Sequence, residues 1–152
     1  MDIIQGIKNY TSSSKSILTI GTFDGVHIGH KKIVQRLVNH TNLESVILTF
    51  FPHPRMVLQQ DSDIKLLSTI EEKASILKTL GLDHLIIHPF TRAFSRQTAK
   101  EFVEQILVKQ LRAQKVIIGY DHRFGRNRTA DINDLKAFGD QYGFEVEEIS
   151  KQ

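Results

Sequence analysis

No cysteine occurs in these 152 residues, which excludes a disulfide scaffold and any metal site built on thiolates. Proline is scarce, at three residues, and no low-complexity linker or internal repeat divides the chain. No apolar run approaches the roughly 18 residues that span a bilayer, and the first sixteen residues, M-D-I-I-Q-G-I-K-N-Y-T-S-S-S-K-S, lack a signal-peptide core. A cytoplasmic location, without membrane contact, is the default expectation. An excess of one charge is missing as well: 20 Lys and Arg face 17 Asp and Glu for a net +3. The signs are interspersed, which suits small anionic ligands and gives no nucleic-acid patch. Two familiar phosphate loops are absent, since neither G-x-x-x-x-G-K-[ST] nor G-x-G-x-x-G is present. What remains, 40% hydrophobic and 24% charged, is ordinary usage for one globular domain with a sizeable core.

Short apolar runs alternate with longer amphipathic segments, the sequence form of a parallel sheet covered by helices. Strands are expected at Ser16–Ile20, Ser45–Phe51, His84–His88, Lys115–Gly119 and Phe144–Ile149. The second is too continuously apolar for an exposed edge, and Pro52 and Pro54 break it. Helices are expected over about 29–39, with Ile33, Val34, Leu37 and Val38 facing inward, and over 69–80, 99–112 and 131–142. Ser68 to Glu71 and Thr98 to Glu101 each have the form of a capping box, and Thr11–Ser16 reads as a loose turn. Right-handed crossovers make this a doubly wound, Rossmann-like α/β domain with a five-stranded parallel sheet, whose ligands bind outside the carboxyl ends of the strands.

The chemistry-bearing residues gather at that end. After the first strand comes G-T-F-D-G-V-H-I-G-H, residues 21–30, a turn with three glycines that feeds a helix. Such a turn aims backbone N–H groups and the positive end of the helix dipole at one point, which favours bound phosphate. Gly21 and Gly25 permit tight turning and close backbone approach. His27 and His30 are three apart, so within the first helical turn they share a face and can reach one anion. The same pair also has the spacing of a metal pair or of satisfied surface histidines. P-H-P-R follows the second strand, P-F-T-R the third and Y-D-H-R-F-G the fourth. A structural protein gives no reason for histidines, arginines and aromatics to collect there.

The 21–30 run resembles the H-x-G-H signature of the nucleotidyltransferase superfamily. L-T-F-F-P-H-P-R at 48–55, H-P-F-T-R-A-F at 88–94 and V-I-I-G-Y-D-H-R-F-G at 116–125 narrow the likeness. In this order, the four stretches resemble the amino-terminal FMN adenylyltransferase domain of the bacterial bifunctional riboflavin kinase and FAD synthetase family, from about Ile17 to Ile149. The resemblance implies AMP transfer from ATP onto FMN, giving FAD and pyrophosphate. It implies His27 and His30 as the catalytic pair on the triphosphate, with Gly21, Thr22, Phe23, Asp24 and Gly25 shaping the loop around the nucleotide. Gly119, Asp121 and Arg123 would lie near the adenosine, Asp121 accepting from ribose hydroxyls. Phe51, Pro52, His53, Pro54 and Arg55, with Phe90, Thr91 and Arg92, would face the FMN, although Phe51 and Phe90 fit equally well as core residues at strand ends. Magnesium is expected with ATP, held by phosphate oxygens and water rather than by protein ligands.

Some features depart from the family pattern. His122 stands where relatives often carry an aromatic ring, and Ala130 where they often carry glycine. The family's I-S-S-T-x-x-R-like triphosphate clamp and its riboflavin kinase barrel do not occur within 1–152, so a shortened domain of low turnover, unable to phosphorylate riboflavin, is expected. In that case Arg123, Arg126 and Arg128 are the candidates for a substitute clamp. A related nucleotidyltransferase with another phosphate acceptor and a non-catalytic nucleotide or flavin module are the alternatives.

Overall fold

A computed structural model of the chain describes residues 1–21, 28–39, 42–52, 54–58, 70–119 and 122–149, with the backbone alone for residues 28–30, 55 and 56. Strands β1 (Asp2–Gln5), β2 (Ser16–Ile20), β3 (Glu44–Phe51), β4 (His84–Pro89), β5 (Ala113–Gly119) and β6 (Glu145–Ile149) form one sheet in the order β1-β4-β3-β2-β5-β6. Every neighbouring pair is parallel. Helices are α1 (Ile28–Val38), α2 (Pro54–Leu58), α3 (Ile70–Thr79), α4 (Arg92–Ser95), α5 (Ala99–Phe102) and α6 (Ile132–Tyr142). α5 runs on as a wide π-helical stretch, Val103–Gln110.

The five expected strands are present, but the sheet has six. β1, with sequence D-I-I-Q and three of its four residues exposed, is not among the expected strands. An edge strand has only one pairing partner and a small buried face, so its sequence carries little periodicity. β4 defines it, through the register Asp2 to His84 and Gln5 to Ile87. Two further elements were missed because each is about one turn long. β3 ends at Phe51, before Pro52 and Pro54 as expected, but Pro54, as the first residue of α2, also opens a helix, where its missing N–H costs nothing. α4 is capped by Thr91, whose hydroxyl accepts from the Phe94 N–H.

Alternation explains why β2 and β3 read as unbroken apolar runs. In β2 all five residues are buried; Ile17 enters the core under α1 and α3, while Leu18 and Ile20 enter the core under α5 and α6. Successive side chains of a strand point to opposite faces, and both faces are covered. Ile33, Val34 and Leu37 of α1, with Ala74 and Leu77 of α3, supply the first layer. Phe102, Val103, Ile106 and Leu107, with Ile132 and Leu135 of α6, supply the second. Two buried serine hydroxyls are paired: Ser16 Oγ donates to the Leu111 carbonyl at 2.7 Å, and Ser45 N–H and Oγ both donate to Asp83 Oδ2 at 2.9 and 3.0 Å.

Thr98 and Glu101 form the expected capping box, and Asp131 and Asp134 form a second at the start of α6. The expected box at Ser68 lies outside the described residues.

Candidate active site

Strand order decides where a ligand fits. From β2 the chain moves outward through β3 to β4, then returns to the other side of β2 as β5 and β6. The crossovers leave the β2 and β5 carboxyl ends in opposite directions, which opens a crevice between them, the usual ligand site of such sheets. The carboxyl ends of β2 and β5 border it, and those of β3 and β4 extend it along the rim.

Gly21 lies one residue beyond β2, and its N–H donates to the Leu48 carbonyl at 3.0 Å. The sheet ladder thus holds the loop's first residue. α1 begins at Ile28, so the 21–30 run does link a strand end to a helix start, and His30 falls in the first helical turn. Thr22, Phe23, Asp24, Gly25 and His27 lie outside the described residues, and the His30 side chain is not among those described.

β3 and β4 end side by side, with Phe51 paired to Pro89 and the Phe51 carbonyl accepting from the Phe90 N–H at 3.3 Å. Phe51 is 47% exposed, so it is a rim residue rather than a core one. Pro52 beside it is exposed; Pro54 and Arg55 open α2. His53 lies outside the described residues. Phe90 is half-buried, while Thr91 and Arg92 are exposed at the start of α4.

Gly119 ends β5, and the His122 N–H donates to its carbonyl at 3.2 Å. Asp121 lies outside the described residues. Arg123 is exposed and its charge reaches Asp131. Hydrogen bonds from Asp134 and Asn133, with that charge, hold the Asp131 carboxyl below its usual range. Phe124 and Ala130 then exchange backbone hydrogen bonds at 3.0 and 3.2 Å, closing a small loop over 125–129. A Cβ on Gly125 would stand 2.9 Å from the backbone of Ala99, so the loop is pressed against the start of α5. Asn127 and Arg128 adopt left-handed φ values of 57° and 52°, unusual for non-glycine residues and more frequent at functional sites. Arg126 and Arg128 are both exposed on it.

An aromatic row that no single motif announced lines this rim. Phe50 and Phe90 lie 5.7 Å apart, and Phe94 packs on both, at 5.4 and 5.7 Å. Phe94 also meets Phe102 at 6.3 Å; Phe102 meets Phe124 at 6.0 Å; His122 stacks on Phe124 at 6.3 Å. The row runs from the ends of β3 and β4 to the loop after β5. His88 lies under it, 5.0 Å from Phe94, and its Nδ1 accepts the Ile7 N–H at 3.1 Å. That bond requires neutral Nδ1; burial, with the charge of Lys8, pushes the His88 pKa down. The sequence signal for the row was the density of phenylalanine in 48–55 and 88–94, but which rings meet depends on the register of β3 against β4.

A groove of about 620 Å³ lies elsewhere, along β6, lined by Lys115, Lys136, Asp140 and the β6 glutamates. It follows the outer edge of the sheet rather than the crevice where the strand order reverses, so the rim remains the better site. Among the described residues no three His, Asp or Glu side chains form a metal-holding group, and no helix is long and apolar enough to cross a membrane.

Comparison with known proteins agrees with this geometry. The profile of the FAD synthetase family matches residues 9–152. The bifunctional riboflavin kinase/FMN adenylyltransferase of Buchnera aphidicola subsp. Schizaphis graminum is 37% identical over 99% of this chain and 49% of its own length. The protein of the same name from Escherichia coli K12 is 35% identical over 96% of this chain and 48% of its own length. The chain therefore spans about half the length of the curated relatives it matches. Among solved structures, that of a macrolide-efflux protein from Streptococcus pneumoniae aligns with TM-score 0.82 and 25% identity, over 98% of this chain and 49% of that one. A pantoate-beta-alanine ligase from Francisella tularensis aligns at 0.65 with 13% identity, over 100% of this chain and 67% of that one, a likeness of fold alone. With its motifs on the carboxyl rim of a doubly wound parallel sheet and the family profile matching nearly its whole length, the chain belongs to the FAD synthetase family.

Proposed function

We propose that this chain transfers AMP from ATP to FMN, releasing pyrophosphate and forming FAD. The observation that carries the reading is that four adjacent parallel strands, β4, β3, β2 and β5, have their carboxyl ends on one edge of the sheet, where the motif stretches 21–30, 51–55, 90–92 and 119–123 begin.

The chemistry asks little of an acid or base. An oxygen of the FMN phosphate, already ionised near neutral pH, attacks the α-phosphorus of ATP; the new P–O bond forms as the bond to the β-phosphate oxygen breaks. Catalysis then consists of holding the two substrates in line and neutralising charge on the α-phosphate and the leaving pyrophosphate. His27 and His30, at the start of α1, act on the triphosphate, with the 21–25 turn around it. Gly119, Asp121 and Arg123 border the adenosine. Phe51 and Phe90 provide apolar walls for the flavin, and Arg55 or Arg92 a cation for its phosphate. Arg126 and Arg128, exposed on a loop anchored at Gly125, add positive charge on the same rim. Magnesium, carried by the nucleotide's phosphate oxygens and water, supplies further charge neutralisation.

The test is a direct assay of FAD formation from FMN, ATP and magnesium. FMN is expected to react and riboflavin is not, because riboflavin's alcohol needs a base that this site does not offer. Equal rates with the two acceptors would overturn the mechanism, and glycerol phosphate or phosphopantetheine outrunning FMN would reassign the acceptor. Binding of FMN and ATP without turnover would make the chain a ligand-binding module. Replacing both His27 and His30 with alanine is expected to cost roughly 1.5 to 3 kcal/mol per lost charge-assisted contact. That loss is to be read as reduced ATP affinity and turnover; unchanged values would remove the pair from the site.

A further inference from the structure

The acceptor-side residues Phe90, Thr91 and Arg92 sit on a short link that leaves β4 and enters α4, a helix of four residues. A helix of one turn has no stability of its own, so something else must fix this link. Phe94 does so from two directions. Its backbone N–H donates to Thr91 Oγ1 at 3.0 Å, closing the turn that carries Thr91 and Arg92. Its ring, half-buried, packs on Phe50 from the end of β3, on His88 from β4, on Phe90 in the link itself and on Phe102 in α5, at 5.4, 5.0, 5.7 and 6.3 Å. Two of these pairs are edge-to-face, with interplanar angles of 70° and 79°. Ring quadrupoles prefer that geometry, so turning the link disturbs several contacts together.

We propose that Phe94 is a positioning residue for the flavin acceptor: it orients Phe90, Thr91 and Arg92, and thereby sets FMN affinity without touching the reacting atoms. The inference rests on the FMN adenylyltransferase reading. It places the effect on the acceptor half of the reaction, because the Phe90–Arg92 link is built around Phe94.

The experiment compares the unsubstituted protein with Phe94→Ala, Phe94→Leu and Phe94→Tyr. FMN Kd is read from quenching of flavin fluorescence, ATP Kd from calorimetry, and folding from the thermal midpoint. Losing a charge-assisted contact to the FMN phosphate costs on the order of tenfold to 100-fold in affinity. Phe94→Ala is therefore expected to weaken FMN by about tenfold or more while ATP affinity moves less than about twofold, and Phe94→Tyr, which keeps the ring, to restore FMN binding. Phe94→Leu, which keeps most of the bulk, carries the same comparison if the alanine variant does not fold. FMN and ATP affinities falling in parallel, or FMN affinity unchanged, would overturn the proposal. FAD formation by the unsubstituted protein is scored separately. If FMN binds with the expected Phe94 dependence and no FAD forms, the positioning role stands and the catalytic reading falls; if FMN does not bind at all, both fall.

Discussion

His88 is a histidine whose surroundings require it to be neutral. Its Nδ1 accepts the Ile7 N–H, and both burial and Lys8 disfavour a second proton. Because the folded pKa lies below the unfolded one, the unfolded chain binds the proton first as pH falls. The stability contributed by neutral His88 is complete above the unfolded value, about 6.5, and is lost as pH drops from there through the folded value. His88→Asn keeps an acceptor near Ile7 and removes the titration. Thermal midpoints from pH 8 to pH 5 are expected to fall less steeply for this variant than for the unsubstituted protein, and identical slopes would show that His88 does not carry the dependence. Phe51 illustrates the opposite environment. At 47% exposure it contributes little to the core, and its apolar face is available to a flat ligand.

Among the elements, the 125–129 loop depends most on one residue. Gly125 has φ of 78°, and an added Cβ would fall 2.9 Å from the N, Cα and Cβ of Ala99. Two of those atoms are backbone at the start of α5, so they cannot step aside as a side-chain tip would. Gly125→Ala is expected to destabilise by about 1 to 3 kcal/mol, the usual cost of overpacking a fitted contact. On the functional reading it also shifts Arg126 and Arg128 and raises the KM for ATP. Chemical denaturation beside ATP kinetics measures both, and a Gly125→Ala protein of unchanged stability would show that the loop is not pressed on α5. The capping boxes at Thr98 and Asp131 fix where α5 and α6 begin, and so fix the approach of this loop to both helices.

At the scale of the whole molecule, the two sides of the switch point are tied by one carboxylate. Glu147 of β6 meets Arg36 of α1 at 2.6 Å and Lys115 of β5 at 2.9 Å. Burial alone would push its pKa up, but hydrogen bonds from Arg36 and Lys115, together with their charges, outweigh that and hold it below the usual glutamate range. A depressed carboxylate contributes stability that is present above the unfolded value, about 4.3, and lost as pH falls through the folded one. Glu147→Gln is expected to lower the thermal midpoint at neutral pH and to flatten its decline between pH 5 and pH 3. A decline as steep as that of the unsubstituted protein would mean that other carboxylates dominate acid unfolding.

Five of the six strands, the helices after β2, β3, β4 and β5, and the clustering of motifs at strand ends were legible in the sequence. Each rests on local signals: apolar runs buried on both faces, a helical stripe such as Ile33, Val34 and Leu37, a capping pair such as Thr98 and Glu101. β1 was not legible, because an edge strand takes its definition from its partner, and α2 and α4 are too short to show a period. The family resemblance supplied roles for His27, His30 and the flavin-side residues; their order along the chain said nothing of which loops become neighbours. Only the strand order β1-β4-β3-β2-β5-β6 decided that the carboxyl ends of β2 and β5 lie side by side. Only the register pairing Phe50 with His88 and Phe51 with Pro89 set Phe50 into the aromatic row and left Phe51 on the rim. Side-chain period and caps are fixed by neighbours a few residues away; contacts between strands forty or a hundred residues apart exist only once the sheet has closed.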